Sequence, residues 1–200
     1  MNKKLLTLST TAIAAAIALA GCSSGSGSGS TPGMNHGSSS NAPAPSAGHN
    51  SADVMFAQMM IPHHAQAVEM AEMILAKKDI PAPVTALATR IKAAQGPEIR
   101  TMTGWLDDWN EPTEMASGYA GHSMDGMLDE ASLQELDAAQ GTAAAKLFLK
   151  QMIAHHEGAI MMANTEKTGG KDPKAVDLGN QIVSAQEAEI KEMQGLLATL

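Results

Sequence analysis

The sequence predicts an all-α fold: a four-helix bundle made of two copies of one helical hairpin, joined by a long connector that carries a short extra helix. Three observations predict it. The segment Met60-Ile61-Pro62-His63-His64-Ala65-Gln66-Ala67-Val68-Glu69-Met70-Ala71 recurs as Met152-Ile153-Ala154-His155-His156-Glu157-Gly158-Ala159-Ile160-Met161-Met162-Ala163. A second segment, Ala94-Gln95-Gly96-Pro97-Glu98-Ile99-Arg100-Thr101-Met102, recurs as Ala185-Gln186-Glu187-Ala188-Glu189-Ile190-Lys191-Glu192-Met193. Apolar residues in all four segments follow a 3.6-residue period, and no segment alternates as a strand does.

The first helix is expected over about Ala52 to Lys78, with Ser51 as its cap and Asp53 in the first turn, where a negative charge suits the helix dipole. Its inward face reads Phe56, Met60, His63, His64, Ala67, Met70, Ala71 and Ile74. Pro62 lies inside and is expected to kink the helix or start a new segment. The second helix is expected from about Val84 to Trp109, with Leu87, Ile91, Ala94, Gln95, Glu98, Met102 and Trp105 inward and a bend at Gly96-Pro97.

Residues 110–141 form the connector. Ser132-Leu133-Gln134-Glu135 has the form of a capping box and is expected to start a short helix to about Gln140. The third long helix covers about Thr142 to Lys167, with Phe148, Met152, His155, His156, Ala159, Met162 and Ala163 inward, and Gly169-Gly170 ends it. Asp172 as cap and Pro173 as first helical residue open the fourth, which runs to about Thr199. Its face reads Ile182, Ala185, Gln186, Glu189, Met193 and Leu196. The repeats thus span about 52–109 and 142–200.

The segment before residue 52 has another character. Lys3 and Lys4 precede an apolar run, Leu5 to Ala18, that is short for a membrane span and has the form of a secretory signal. Leu19-Ala20-Gly21-Cys22 resembles a bacterial lipobox, which implies a signal peptide over 1–21, cleavage before Cys22 and lipid on that cysteine. Residues 22–51 are rich in Ser, Gly, Pro and Ala and read as a flexible tether, because they offer too little to bury to offset ordering. The bundle domain is 52–200. The expected location is the cell envelope, outside the cytoplasm, with the membrane as a partner through the lipid.

The formal charge is −8, and loss of Lys3 and Lys4 makes the chain more acidic. That balance argues against nucleic acid as a partner and against a polybasic membrane contact. Cys22 is the only cysteine. Once acylated it leaves no thiol for a disulfide or a thiolate metal site. Any metal must therefore be held by His, Met, carboxylate or backbone groups. The chain has 15 Met but only two Phe, two Trp and one Tyr. Methionine is both an adaptable packing residue and a thioether ligand suited to Cu(I).

Successive residues on a helix project about 100° apart, so His63 and His64 cannot both face the bundle axis. Each is expected to flank the apolar stripe, one toward each neighbouring helix. Residues three or four apart do face each other. The candidate metal ligands are therefore Met60 with His63 or His64, and Met152 with His155 or His156, with Met59, His122, Met124 and Met127 as further candidates. Such a His/Met set suits copper, Cu(I) above all, although imidazole also takes other divalent metals. Met70 and Met162 lie about two turns beyond the histidines and read as core or as a separate Met site. Glu98, Glu189, Gln95 and Gln186 sit on apolar stripes and need partners. A histidine of the facing helix is the expected one, its ring oriented by the carboxylate as metal-ligating imidazoles commonly are. His36 with Met34, and His49, fall in the tether.

The Met-Ile-x-His-His element, the Gln-x-x-Glu-Ile-x-x-Met helix and the connector stretch Met124-Asp125-Gly126-Met127 resemble the bacterial "domain of unknown function 305" family. The resemblance covers about residues 52–199. It implies a ferritin-like four-helix bundle and, since some members are exported and bind copper, a copper-binding role.

Three functions compete at this stage. The first is an extracytoplasmic, lipid-anchored protein that sequesters copper or transfers it to an unknown copper-handling partner, with no catalysis. The second is a ferritin-like di-metal oxidase, whose sites draw on Glu-x-x-His motifs; no Glu-x-x-His occurs in this chain. The third is a structural or partner-binding lipoprotein whose histidines are only core.

Overall fold

The computed structural model describes residues 48–115 and 125–200. The expected signal peptide and lipidation site, most of the expected tether, and His122 and Met124 lie outside the described residues. Among the described residues the fold is all-helical, with no strand: α1 Ser51–Ala76, α2 Ala82–Trp109, α3 Glu130–Ala138, α4 Gly141–Gly169 and α5 Pro173–Thr199. None of these helices is long and apolar enough to cross a membrane.

Several boundaries differ from expectation for identifiable reasons. Asn50, not Ser51, caps α1: its side chain accepts from Ala52 N and Asp53 N, and Asp53 answers on the Asn50 amide, a reciprocal capping box. Pro62 and Pro97 both sit inside unbroken helices, since the packing of α1 and α2 outweighs one lost backbone bond each. The short helix α3 starts earlier than its Ser-x-x-Glu pattern suggests, because Asp129 accepts from Ser132 N and takes the capping role. Asn110 ends α2 in the left-handed conformation, its amide bonding the carbonyls of Asp107 and Leu106. At α5 the expected cap holds: Asp172 accepts from Lys174 N and Pro173 follows.

Helices α1 and α2 form one hairpin and α4 and α5 the other, and the hairpins meet along α1 and α4. These two central helices run antiparallel: the start of α1 lies by the end of α4, where Asn50 Nδ2 donates to Gly169 O at 2.8 Å. Helices α2 and α5 touch only sparsely, with an exposed Arg90–Glu192 ion pair at 2.6 Å between them.

The apolar interior is divided in two. One core gathers Met70, Ile74, Leu87, Phe148, Leu149 and Met152 near the α1 C-terminus. The other gathers Phe56, Met60, Met102, Leu106, Ala163 and Ile182 near the α1 N-terminus. Between them every long helix interrupts its apolar stripe at one level, with His63 and His64 on α1, Gln95 and Glu98 on α2, His155 and His156 on α4, and Gln186 and Glu189 on α5. Ala94 and Ala185, expected inward, are exposed, because the adjacent glutamines occupy the buried face.

A carboxyl pair closes one end of the α1–α4 contact. Asp53 accepts from Lys171 N and Asp172 N, both at 2.9 Å, besides the Asn50 amide. Burial pushes the Asp53 carboxyl up, but backbone donation from Asp172, Asn50 and Lys171 and contact with Glu166 outweigh it, so it lies below the ordinary carboxylate range. The Glu166 carboxyl is buried beside it with no donor of its own. Burial first, then Asp53 and the charge of Asp172, push it up to about 8. Gly170 makes room for it, since a Cβ there would lie 2.0 Å from Glu166 Oε1.

A raised folded-state value means that Glu166 contributes stability fully below its unfolded value of 4.5 and loses it as pH rises to about 8. Glu166→Gln removes this dependence. The melting temperature of the variant is expected to gain relative to the wild type as pH rises across that interval, and the difference is expected to stay constant above it, as thermal unfolding at several pH values will show.

Candidate metal centre

The polar layer lies at mid-height of the bundle, where α1 and α4 face each other. His63 and His155, from the two repeats, meet there with ring centroids 3.8 Å apart and planes inclined at 40°. His64 and His156 turn the other way, each toward the second helix of its own hairpin. His64 Nε2 lies 2.7 Å from Glu98 Oε2, and His156 Nε2 lies 2.6 Å from Glu189 Oε2. All four rings are fully buried or nearly so, while the two carboxylates are 23% and 19% exposed. The divergence of each His-His pair follows from the 100° step between neighbours. One member seals the inter-hairpin contact and the other the intra-hairpin contact.

The connector lies over this layer. Asp125 O accepts from His63 Nε2 at 3.3 Å. Gln66 brackets Leu128, its amide nitrogen donating to Leu128 O at 2.9 Å and its oxygen accepting from Leu128 N at 2.8 Å. On α4 the same strap rests on bare backbone. A Cβ on Gly158 would sit 1.9 Å from Asp125 O, and one on Gly126, whose φ is +84°, would meet the carbonyls of Ala154 and His155. Sequence reasoning missed this strap, although a signal was present: Gln66 and Gly158 occupy equivalent positions of the two repeats and differ in kind. One repeat grips the connector with a side chain, and the other removes a side chain to let it approach.

Hydrogen bonding leaves lone pairs in the layer. A carboxylate or carbonyl acceptor on Nε2 requires Nε2–H, so in the neutral ring the lone pair falls on Nδ1. The Nδ1 atoms of His63, His64, His155 and His156 are all buried without a hydrogen-bond partner, as is His155 Nε2. Gln95 and Gln186, expected to pair with these rings, also keep side-chain atoms unpaired. Buried polar atoms in this state are costly, on the order of 1–3 kcal/mol each. Neutral imidazoles with an oriented Nε2–H and a bare Nδ1 are the form that ligates metals. The residues present therefore fit a metal bound by imidazole nitrogen.

They do not form a chelate by themselves. Among the described residues no three His, Cys, Asp or Glu side chains come together so as to hold an ion. Met60 and Met152 are fully buried but lie in different apolar cores, on opposite sides of the layer. Met59 is half-buried in a groove between α1 and α4, and Met127 is half-buried in the connector. Met70, Met102 and Met193 are core. His49, expected in the tether, stacks on Trp109 with centroids 4.6 Å apart and thus belongs to the folded domain.

The inner rings resist protonation. Burial, then the neighbouring His64, hold His63 down to about 3, with the Asp125 carbonyl opposing them and His156 adding to them. Burial, then His63, His156 and His64, hold His155 down to about 2. A lowered histidine value means stability fully present above the unfolded value of 6.5 and lost as pH falls toward 3. The expected slope is at most about 1.4 kcal/mol per pH unit for each ring. Denaturant titrations between neutral and acid pH should show it, and His155→Leu should make it shallower.

Comparison with known proteins places this architecture. Residues 53–197 match the family described as Domain of unknown function (DUF305). Comparison with the curated proteins returns no match. Among solved structures, a putative secreted DUF305 protein from Streptomyces coelicolor is 34% identical, with a TM-score of 0.70 over 74% of this chain and 93% of that one. A DUF305 fragment from Deinococcus radiodurans is 32% identical, with a TM-score of 0.68 over 76% and 98%. CopM in its Cu(I)-bound form is 35% identical, with a TM-score of 0.61 over 74% and 96%, and the same protein has been solved with Cu(II) and with Ag. With its duplicated His-His hairpins, its buried histidine layer and this match along most of its length, the chain belongs to the DUF305 family.

Proposed function

We propose that this protein is an extracytoplasmic, lipid-anchored copper-binding protein that sequesters copper or passes it on, without catalysing a reaction. The observation that carries the reading is the set of unpaired Nδ1 atoms on four buried histidines in one layer. Copper is favoured by the donors at hand, imidazole nitrogen and methionine sulfur. It is favoured further by the likeness to CopM, solved with Cu(I), Cu(II) and Ag. Cu(I) suits the layer better than a hard divalent ion, because the layer lacks a three-residue His/carboxylate chelate and Cu(I) accepts thioether donors. His63, His64, His155 and His156 supply nitrogen, and Met60 and Met152 lie one turn away as sulfur donors. Glu98 and Glu189 orient the outer rings and Gln95 and Gln186 line the layer.

The envelope location rests on the Lys3–Cys22 segment, and likeness to a putative secreted protein supports it. Cys22→Ala is expected to move the protein from the membrane fraction to the soluble fraction.

Isothermal titration of the full chain with Cu(I) and with Cu(II) tests the metal reading. Cu(I) is expected to bind and to raise the melting temperature, since a ligand at about 100 times its Kd adds about 2.7 kcal/mol. Substituting the four histidines by Ala should remove most of that stabilisation. The single variants Met60→Leu and Met152→Leu, which conserve volume, should weaken Cu(I) binding while leaving the fold intact. An unchanged melting temperature with excess Cu(I) and Cu(II) would overturn the proposal.

A further inference from the structure

The two ends of the α1–α4 contact are related by the repeat, yet the structure treats them differently. At one end α3 lies against both helices, with Lys77 Nζ donating to Asp137 O at 2.6 Å and Gln151 Nε2 to Ser132 O at 3.0 Å. Leu136 of α3 is fully buried there and belongs to the adjoining core. The opposite end has no such cover among the described residues. It presents a cavity of about 360 Å³ lined chiefly by Met55, Phe56 and Met59 of α1 and Met162, Thr165 and Glu166 of α4.

Two of the three methionines at this open end, Met55 and Met59, are not kept by the repeat. The repeat places Leu147 and Gln151 on α4 where α1 has Met55 and Met59. At the covered end Met70 stands at the place of Met162, and Met73 stands where the open end has Thr165. Met55 is 43% exposed and Met59 is half-buried outside the adjoining core, whereas Met162 packs against that core and turns toward the same cavity. A large apolar side chain left in solvent gains little from burial, so packing does not account for Met55. Met55 and Met59 are four apart and share one helix face, and Met162 approaches from the antiparallel partner.

We propose that Met55, Met59 and Met162 form a thioether-only site for a soft monovalent cation, Cu(I) or Ag(I), separate from the histidine layer. Three neutral sulfur donors favour such ions and discriminate against Cu(II) and Zn(II), which prefer nitrogen and oxygen. No imidazole lines the cavity. The one carboxyl in it, Glu166, is engaged with Asp53 and is held in its neutral form, so the cavity offers no hard anionic ligand. Partial exposure of Met55 gives an ion direct access from solvent, which the closed histidine layer does not.

The test uses the full-length chain and the triple variant Met55→Leu, Met59→Leu, Met162→Leu, whose substitutions conserve volume. Competition against a chromophoric Cu(I) chelator counts Cu(I) equivalents. The variant is expected to lose one equivalent of Cu(I) and to keep the Cu(II) equivalents of the wild type. In the wild type with 13C-methyl-labelled methionine, Ag(I), a redox-inert probe, should shift the methyl signals of residues 55, 59 and 162 together at the first equivalents. Unchanged Cu(I) equivalents in the folded variant overturn the proposal. If the variant does not fold, the wild-type spectra decide: three unmoved methyl signals overturn it and a joint shift sustains it. Loss of the histidine layer's metal in the four-histidine variant, with the Met-dependent equivalent retained, is the expected separation of the two sites.

Discussion

The His63–His155 contact, 3.8 Å between ring centroids, is the constraint around which the polar layer is arranged. It joins two hairpins that also meet through apolar packing along α1 and α4, through the Asn50 and Asp53 hydrogen bonds to Gly169, Lys171 and Asp172, and through sparse contacts between α2 and α5. Two neutral imidazoles can stack at such a distance inside a protein, whereas two imidazolium ions cannot, because like charges repel strongly where water is excluded. Both rings titrate far below neutrality, which agrees with that requirement. The rest of the layer follows. With the inner rings turned toward each other, their sequence neighbours must turn outward, and the outward rings find Glu98 and Glu189.

A polar layer between two apolar cores is expensive. The cores themselves are of ordinary chemistry: Phe148, Leu149, Ile74 and Leu87 on one side, Phe56, Leu106 and Ile182 on the other. Replacing eight polar residues at one level by aliphatic ones would give a continuous core and remove several unpaired buried atoms. A fold selected for stability alone has no use for such a level. The retained cost points to use of the layer itself, and the orientation of the outer rings by carboxylates is how proteins prepare imidazole for a metal. The strap at Asp125–Leu128 and the Gln66 bracket lie over the inner rings, which are buried, while Glu98 and Glu189 keep an edge in solvent.

Much of this was legible in the sequence. Duplication of the His-His and Gln-x-x-Glu segments gave the hairpins, their order and the side on which each buried face lies. Helical projection separated His63 from His64, and the need of a carboxylate on an apolar stripe for a partner sent Glu98 and Glu189 toward histidines. The cap at Asn50 was not legible, because Ser51 and Asn50 are both good caps and only the reach of Asp53 decides between them. Nor was the division of Met60 and Met152 between two cores, since an i,i+3 relation says which face a sulfur shares but not which side of a layer it packs on. The strap needed three dimensions: Asp125 acts through its carbonyl, which has no sequence signature, and Gly126 and Gly158 act by lacking an atom. His49 was masked by the low-complexity residues before it, and its stacking on Trp109 pairs residues from distant parts of the chain.

The strap also has a consequence for the symmetry of the molecule. Two copies of one hairpin packed about a pseudo-twofold axis would give two interchangeable inner imidazoles. The connector belongs to neither copy and passes over the layer once, so Asp125 engages His63 and leaves both nitrogens of His155 without a hydrogen-bond partner. One ring is held by the connector backbone and the other is not. Duplication created the pair, and the single crossing made its members different: a change in the connector meets side chains on α1 and bare backbone on α4, so it acts unequally on the two halves.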